Sequence, residues 1–512
     1  MKATVHIRLQ PLGKTLTVRR GTPLQDLLFP HGVEFPCGGQ GKCKGCRVRL
    51  LEGSLPITPE QERMLSREEL AAGWRLSCQC AADGDLTIEM AQWEAAILSD
   101  ATPLTIVPKP GLGLAVDVGT TTIVAQLVDL STGNVLGVRT ALNAQARHGA
   151  DIMSRVGYAV AEEGRHRLVH LVRNQIARML GEILHTPAVP RDAVREVVLV
   201  GNTVMHHLFC DIDLEPLSHY PFEPAETGPK TFAPADLGWD LPASATIEFL
   251  PCIGGFVGSD VLAGVIARGL HERTDIVALV DLGTNGEIVV GNRDRLVSAS
   301  TAAGPAFEGA RIYMGMRAAT GAVSAVRVSD GKLQCHVIGN VTPRGICGSG
   351  LVDAVAGALD LELIKPGGRL TNGGDSLMLC PPVKISQTDI RELQLAKGAI
   401  AAGIRMLARE FGAAVTDITE LFLAGAFGNY VNVTSAERIG LLPIPPERVT
   451  PAGNTALLGA KIALFSDRRQ FRELARRIEH FSLSEKPDFQ DIYVEEMVFP
   501  QQPNDGQASP CV

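Results

Sequence analysis

Hydrophobic and polar positions alternate at the start of the chain, where Val5-His-Ile-Arg-Leu and Thr15-Leu-Thr-Val predict two strands with one buried face each. Pro23-Leu-Gln-Asp-Leu-Leu predicts a short amphipathic turn of helix, and Cys46-Arg-Val-Arg-Leu-Leu returns to a strand. Thr58-Pro59-Glu60-Gln61 has the form of a capping box with proline at the first helical position, which predicts one helix through Leu70. A further strand is expected over Leu86–Met90. Periodicity then stops: Ser99-Asp-Ala-Thr-Pro-Leu-Thr-Ile-Val-Pro-Lys-Pro-Gly carries three prolines and predicts a semi-rigid linker over 93–112.

Beyond the linker a pattern occurs twice. Leu114-Ala-Val-Asp117-Val-Gly119-Thr120-Thr121-Thr122-Ile-Val returns 164 positions later as Ala278-Leu-Val-Asp281-Leu-Gly283-Thr284-Asn285-Gly286-Glu287-Ile-Val-Val. Each copy predicts a buried strand ending in an acid, a tight glycine turn and a returning strand. A third apolar strand, Ile418-Thr-Glu-Leu-Phe-Leu-Ala, ends in the glycine-rich Gly425-Ala426-Phe427-Gly428-Asn429. The polar final segment, 501–512, contains two prolines and is expected to be disordered.

Composition adds limits to this picture. At 512 residues, 45% hydrophobic and 20% charged, the chain is globular and long enough for several domains. The expected division is 1–92, the linker 93–112, a first lobe 113–272, a second lobe 273–500 and the tail. No apolar run reaches the roughly 18–20 residues that span a membrane, and the start lacks an apolar signal core, so a cytoplasmic location is expected. A net charge of −8 without a basic block argues against nucleic acid or an anionic membrane as partner. Eleven cysteines, odd in number and mostly scattered, do not form a secreted disulfide framework.

Four of those cysteines carry chemistry. Cys37-Gly-Gly-Gln-Gly-Lys-Cys43-Lys-Gly-Cys46, with Cys78 downstream, fits a two-iron cluster, which needs four thiolates around a loop tight enough to turn its N–H groups toward sulfur. The glycines between Cys37 and Cys43 allow that close approach. The first gap is five residues where plant-type ferredoxins have four. Zinc would call for a second close pair or histidines at short spacing, and Cys78-Gln-Cys80 has only one residue between its cysteines. With its order of strands and helices, the segment resembles a β-grasp ferredoxin over its first 90 or so residues. On that resemblance Cys78 matches the fourth ligand, and Cys80 stays open as an alternative.

The repeated turns suit phosphate: backbone N–H groups and hydroxyls face its oxygens while the aspartate organises Mg²⁺ through its waters. Together with the Gly425 turn they resemble the two phosphate motifs and the adenosine motif of the actin, sugar-kinase and heat-shock chaperone ATPases. Val200-Gly201-Asn202-Thr203-Val-Met-His206-His207, Gly304-Pro305-Ala306-Phe307-Glu308-Gly309 and Gly345-Ile-Cys347-Gly348-Ser349-Gly350 narrow this. Combined with the ferredoxin segment, they resemble the reductive activators of corrinoid proteins over nearly the whole chain. The resemblance implies a two-lobed α/β ATPase fold behind the ferredoxin and an ATP-dependent reduction of a cobalt(II) corrinoid protein to cobalt(I). It implies a low-potential electron donor and leaves a homodimer open.

Carried over, Cys37, Cys43, Cys46 and Cys78 hold the cluster; Asp117 and Asp281 are the catalytic acids, and Gly119, Thr120, Thr121, Gly283, Thr284 and Asn285 face phosphate and Mg²⁺. Gly348, Ser349, Gly425 and Ala426 complete the nucleotide site. His206, His207, Cys347 and Glu287 each have a structural reading beside a functional one, and Arg468-Arg-Gln-Phe-Arg-Glu-Leu-Ala-Arg-Arg reads as the solvated side of an amphipathic helix or as a docking face. Two other classes stay open: an activator of a different low-potential enzyme, and a kinase-like or metal-sensing nucleotide-binding protein.

Overall fold

A computed structural model describes residues 4–10, 14–28, 31, 33, 41, 46–90, 106–161, 164–185, 190–283, 285–319, 321–428 and 430–501. Cys37, Cys43, Thr284, most of the expected linker and all but the first residue of the expected tail lie outside the described residues.

The N-terminal unit is a five-stranded mixed sheet. Strand Thr4–Gln10 lies between Lys14–Arg19, antiparallel, and Leu86–Glu89, parallel. Arg47–Glu52 and Trp74–Leu76 complete it. The strict alternation of Thr4–Gln10 puts Val5, Ile7 and Leu9 into one small core with Leu24, Leu28, Val48, Leu76 and Ile88. The expected helix through Leu70 is two helices, Pro59–Met64 and Arg67–Ala71. Ser66 interrupts it with a capping box of its own: its hydroxyl accepts from the Glu69 N–H at 3.1 Å, and its N–H donates to the Glu69 carboxylate at 2.8 Å. Leu65 is thereby held extended and buried.

The remainder forms two lobes of matching topology. In the first, Leu112–Val118, Thr122–Asp129 and Val135–Leu142 make an antiparallel meander, and Val194–Val200 then Thr246–Phe249 add in parallel. In the second, Val277–Leu282, Gly286–Gly291 and Leu296–Thr301 repeat the meander, and Glu420–Ala424 then Val449–Gly453 repeat the parallel additions. The duplicated sequence pattern is therefore a duplicated sheet, and its aspartates sit at the carboxyl ends of equivalent central strands.

Between the sheets, helix Ser259–Ala267 crosses helix Thr455–Ala463 at Gly264 and Gly459. A Cβ on Gly459 would stand 2.2 Å from the Ala263 carbonyl oxygen, and one on Gly264 would stand 2.9 Å from the Thr455 hydroxyl. Absence of side chains lets the backbones meet, and Ala115, Val198, Leu262, Leu279, Leu457 and Ala460 close one core across both lobes. The arginine-rich segment is helix Arg468–Arg477, with Phe471 and Leu474 buried. Arg468 bridges Glu196 (2.7 Å) and Glu248 (3.2 Å) and Arg472 also reaches Glu248, so these arginines tie the second lobe to the first.

Candidate functional site: paired acid turns and a thiolate loop

The first turn is held from three directions. Asp117 ends its strand and accepts from the Asn454 amide at 2.9 Å. Asn202, which caps helix Thr203–Cys210, donates to the Thr120 hydroxyl at 2.8 Å. Asn143 donates its backbone N–H to the Thr121 carbonyl (2.8 Å) and its side-chain amide to the Gly119 carbonyl (2.9 Å). Gly119 has no room for a side chain, since a Cβ would lie 2.4 Å from the Thr122 carbonyl oxygen. Thr121 reaches across to Glu308 of the second lobe at 3.4 Å.

The second turn faces it. Asp281 ends the equivalent strand, and the Gly283 N–H donates to the Asn285 carbonyl at 3.0 Å. A Cβ on Gly283 would meet nothing nearer than 3.9 Å, and one on Gly304 nothing within 4 Å, so the backbone at these two glycines borders open space. Gly425, with φ of +86°, lies against Asp281: a Cβ there would come within 2.5 Å of a carboxylate oxygen. Residues 425–428 form a helical turn in place of an open loop; of the Ala426 side chain nothing is described. Phe427 stacks on Phe307 at 4.7 Å, and Gly348 fits between the Phe307 carbonyl and the Phe427 ring. Ser349 turns its hydroxyl inward to the Ser324 carbonyl (2.8 Å), which leaves the backbone at the start of helix Gly348–Asp360 as that motif's route to a ligand.

The electrostatics single out a fourth participant. Asp117, Asp260 and Asp281 are half-buried and Glu287 is buried. Desolvation, then repulsion from Asp117, pushes the Asp281 carboxyl up to about 7. Desolvation, partly offset by Asn454, pushes Asp117 up to about 6. Asp260, at the start of helix Ser259–Ala267, is pushed up to about 8 by desolvation and by Asp281 and Asp117. Burial and the same acids raise Glu287 well above the carboxylate range. Acids that repel one another in a cleft are a site for a cation. Among the described residues no three such side chains close on a single point. Carboxylates set apart in this way can meet a cation only through its waters.

Other candidates resolve as core. His206 and His207 are fully buried; His207 Nδ1 lies 2.8 Å from the Thr203 carbonyl, and the His206 ring meets Phe249 edge-on at 5.1 Å. Desolvation, with His207 beside it, pushes His206 down to about 3, a neutral ring at any physiological pH. Cys347 is buried, its thiol directed to the Val323 carbonyl.

In the ferredoxin unit Cys46 and Cys78 stand on neighbouring segments. The Cys46 carbonyl accepts from the Ser77 N–H (3.1 Å) and hydroxyl (2.8 Å), which brings Cys46 beside the turn that carries Cys78. Gly41 packs on Gln79, whose amide lies 3.4 Å from the Cys78 sulfur. Cys80 differs: it belongs to the buried core, its thiol faces the Leu76 carbonyl at 3.5 Å, and desolvation pushes it up to about 11. Cys78, by contrast, is half-buried on the turn beside Cys46.

Asp260, Asn143 and Asn454 were not among the residues the sequence pointed to, and Asn202 was read only as part of the Val200–His207 motif. Asn143, Asn202 and Asn454 each directly precede the helical turn they cap, which is a local trace.

Comparison with known proteins agrees with this division. Residues 7–83 match the 2Fe-2S iron-sulfur cluster binding domain family, 112–273 the RACo middle region, and 275–508 the C-terminal domain of RACo, described as the ASKHA domain. A corrinoid activation enzyme, RamQ, of Eubacterium limosum is 30% identical, over 91% of this chain and 94% of its own. A reductase of the Co(II) methylated amine-specific corrinoid protein from Methanosarcina barkeri is 26% identical over 76% of this chain and 77% of its own. The solved structure of a reductive activator for a corrinoid, iron-sulfur protein superposes with a TM-score of 0.68 at 28% identity, covering 97% of this chain and 98% of that one. No described helix is long and apolar enough to cross a membrane.

Proposed function

Because the chain belongs to the family of reductive activators of corrinoid proteins, we propose that it delivers an electron to the cobalt(II) form of a corrinoid protein and that Mg-ATP in the interlobe cleft drives the delivery. The observation that carries the nucleotide half is the pair of facing strand-end acids, Asp117 and Asp281, each followed by a glycine turn, the second of which borders open space.

Bound by Cys37, Cys43, Cys46 and Cys78, a two-iron cluster of this type supplies one electron near about −400 mV. Each 100 mV that the acceptor lies below the donor costs roughly 2.3 kcal/mol. Nucleotide offsets that cost only by favouring one arrangement of the protein over another. The residues supply the means. Asp117, Asp260 and Asp281 orient the waters of Mg²⁺, the turns at Gly119–Thr121 and Gly283–Asn285 hold phosphate oxygens from opposite lobes, and Gly425 packs the nucleoside turn against Asp281. Phosphate gripped from both sides draws the lobes together about the crossing at Gly264 and Gly459. The electron enters from a low-potential donor and leaves to the corrinoid protein.

The test is anaerobic: the reduced protein is mixed with candidate cobalt(II) corrinoid proteins, and cobalt(I) absorbance is followed with and without Mg-ATP. Formation that depends on nucleotide is expected. Equal formation without nucleotide would remove the ATPase from the account.

A further inference from the structure

The ferredoxin unit is anchored to both lobes at once. On the first lobe, Leu142 and Ala146 pack against the ferredoxin core, Arg147 reaches Asp26 at 3.5 Å, and the Gln25 amide donates to the Arg147 carbonyl at 3.5 Å. On the second lobe, Arg344 pairs with Glu89 at 3.1 Å. Arg344 is placed for this by Gly321, where a Cβ would come within 3.0 Å of its side chain.

The first anchor is also continuous with the phosphate turn. Asn143, fully buried, donates to the carbonyls of Gly119 and Thr121 and accepts through Oδ1 from the Gln145 N–H at 3.0 Å, which opens the turn Ala144–Arg147. Gln175 fastens the strap from behind, accepting from the Ala144 N–H and donating to the Leu142 carbonyl, both at 2.6 Å. At the outer end, helix Leu24–Leu28 receives the strap and is itself bonded to the thiolate region, the Leu24 N–H donating to the Cys80 carbonyl at 3.0 Å. A chain of direct contacts thus runs from the Gly119–Thr121 turn to the segment that carries Cys78.

We infer that nucleotide loosens the ferredoxin unit from the second lobe. The strap at 142–147 moves with the phosphate turn as part of the first lobe, and Arg344 moves with the second. A change in the angle between lobes alters the distance between the two anchors, which one rigid ferredoxin cannot follow. The weaker anchor gives way. That is the half-exposed Arg344–Glu89 pair, in which Arg344 shares Glu89 with Arg49 at 3.7 Å, since the strap is backed by apolar contact and an exposed ion pair contributes little. Among the described residues the strap is then the remaining hold on the cluster unit, which can turn toward a partner, with Asn143 as the positioning residue between the nucleotide and the strap.

This rests on the nucleotide reading above, and binding thermodynamics separate the two. If nucleotide weakens the Arg344–Glu89 anchor, an anchor weakened in advance must strengthen nucleotide binding by the same factor. In the full-length, cluster-loaded protein, Arg344→Glu is expected to tighten Mg-AMPPNP, measured by calorimetry, about two- to fivefold, the worth of one exposed pair. The charge swap Arg344→Glu with Glu89→Arg is expected to return the affinity to the wild-type value. Hydrogen exchange around Glu89 and Arg344 should speed up when Mg-AMPPNP is added to the wild-type protein and stay unchanged in Asn143→Asp, which keeps the acceptor for Gln145 and loses the donor to Gly119. Unchanged or weakened binding in Arg344→Glu, a change that the swap does not reverse, or no nucleotide effect on exchange would overturn the inference. Absence of nucleotide binding to the wild-type protein would overturn the nucleotide site itself.

Discussion

Cys78 and Cys80 are separated by one residue and by opposite environments. Cys78 stands on the turn fastened to Cys46, whereas Cys80 is sealed in the core with its thiol directed to a backbone carbonyl. Cys78→Ser is therefore expected to lose the visible absorbance and electron paramagnetic signal of the cluster, and Cys80→Ala to keep both at a modest cost in stability. A cluster that survives Cys78→Ser and fails in Cys80→Ala would reverse the assignment. The acids give a second prediction at this scale. A carboxyl whose folded-state value is raised binds its proton more tightly in the folded chain than at its ordinary 3.8, so its contribution favours folding at low pH and is lost as pH rises through the raised value. For Asp117, Asp281 and Asp260 that loss runs from the ordinary 3.8 up to about 6, about 7 and about 8 respectively. Mg²⁺ binds the charged forms and offsets their repulsion. The gain in melting temperature from Mg-nucleotide should consequently be larger at pH 8 than at pH 6; an equal or smaller gain at pH 8 would separate the cation from these acids. Asp117 and Asp281 were legible in the sequence because strand, acid and glycine turn are contiguous. Asp260 was not: it reaches the site from a helix more than 140 positions after Asp117, and nothing beside it in the chain marks its role.

Elements show the same division between local and distant signals. The strand alternation of Thr4–Gln10 and the apolar strands before Asp117 and Asp281 were readable from period alone. The break at Leu65 was readable too, since Ser66-Arg-Glu-Glu69 has the capping-box form, but the stronger signal at Thr58 suggested a single helix. The crossing of helices Ser259–Ala267 and Thr455–Ala463 had no such signal, because Gly264 and Gly459 look unremarkable until the two segments are brought together. Gly459→Ala would push a methyl group into the Ala263 carbonyl and is expected to cost about 1–3 kcal/mol, as overpacking does. Thermal unfolding of the lobes followed by calorimetry checks it, and an unchanged transition would mean that the crossing is looser than drawn.

At the scale of the whole molecule, a small ferredoxin unit sits across two lobes of one duplicated fold, each of which contributes one strand-end acid and one glycine turn. The repeat in the sequence disclosed the duplication, while the anchoring of the ferredoxin by Arg147 and Arg344 depends on residues 197 positions apart and could only be seen in the fold. The cluster and the nucleotide have separate ligands, which implies that each can be removed without the other. The measurement that tests the account most directly is nucleotide-dependent cobalt(I) formation by the Asp281→Ala protein, with the cluster spectrum recorded on the same sample. The account predicts an intact cluster spectrum and a loss of the Mg-ATP stimulation of about 100-fold or more, the scale expected for removing a charged group from a phosphate site. Stimulation that persists at the wild-type level with an intact cluster would contradict it.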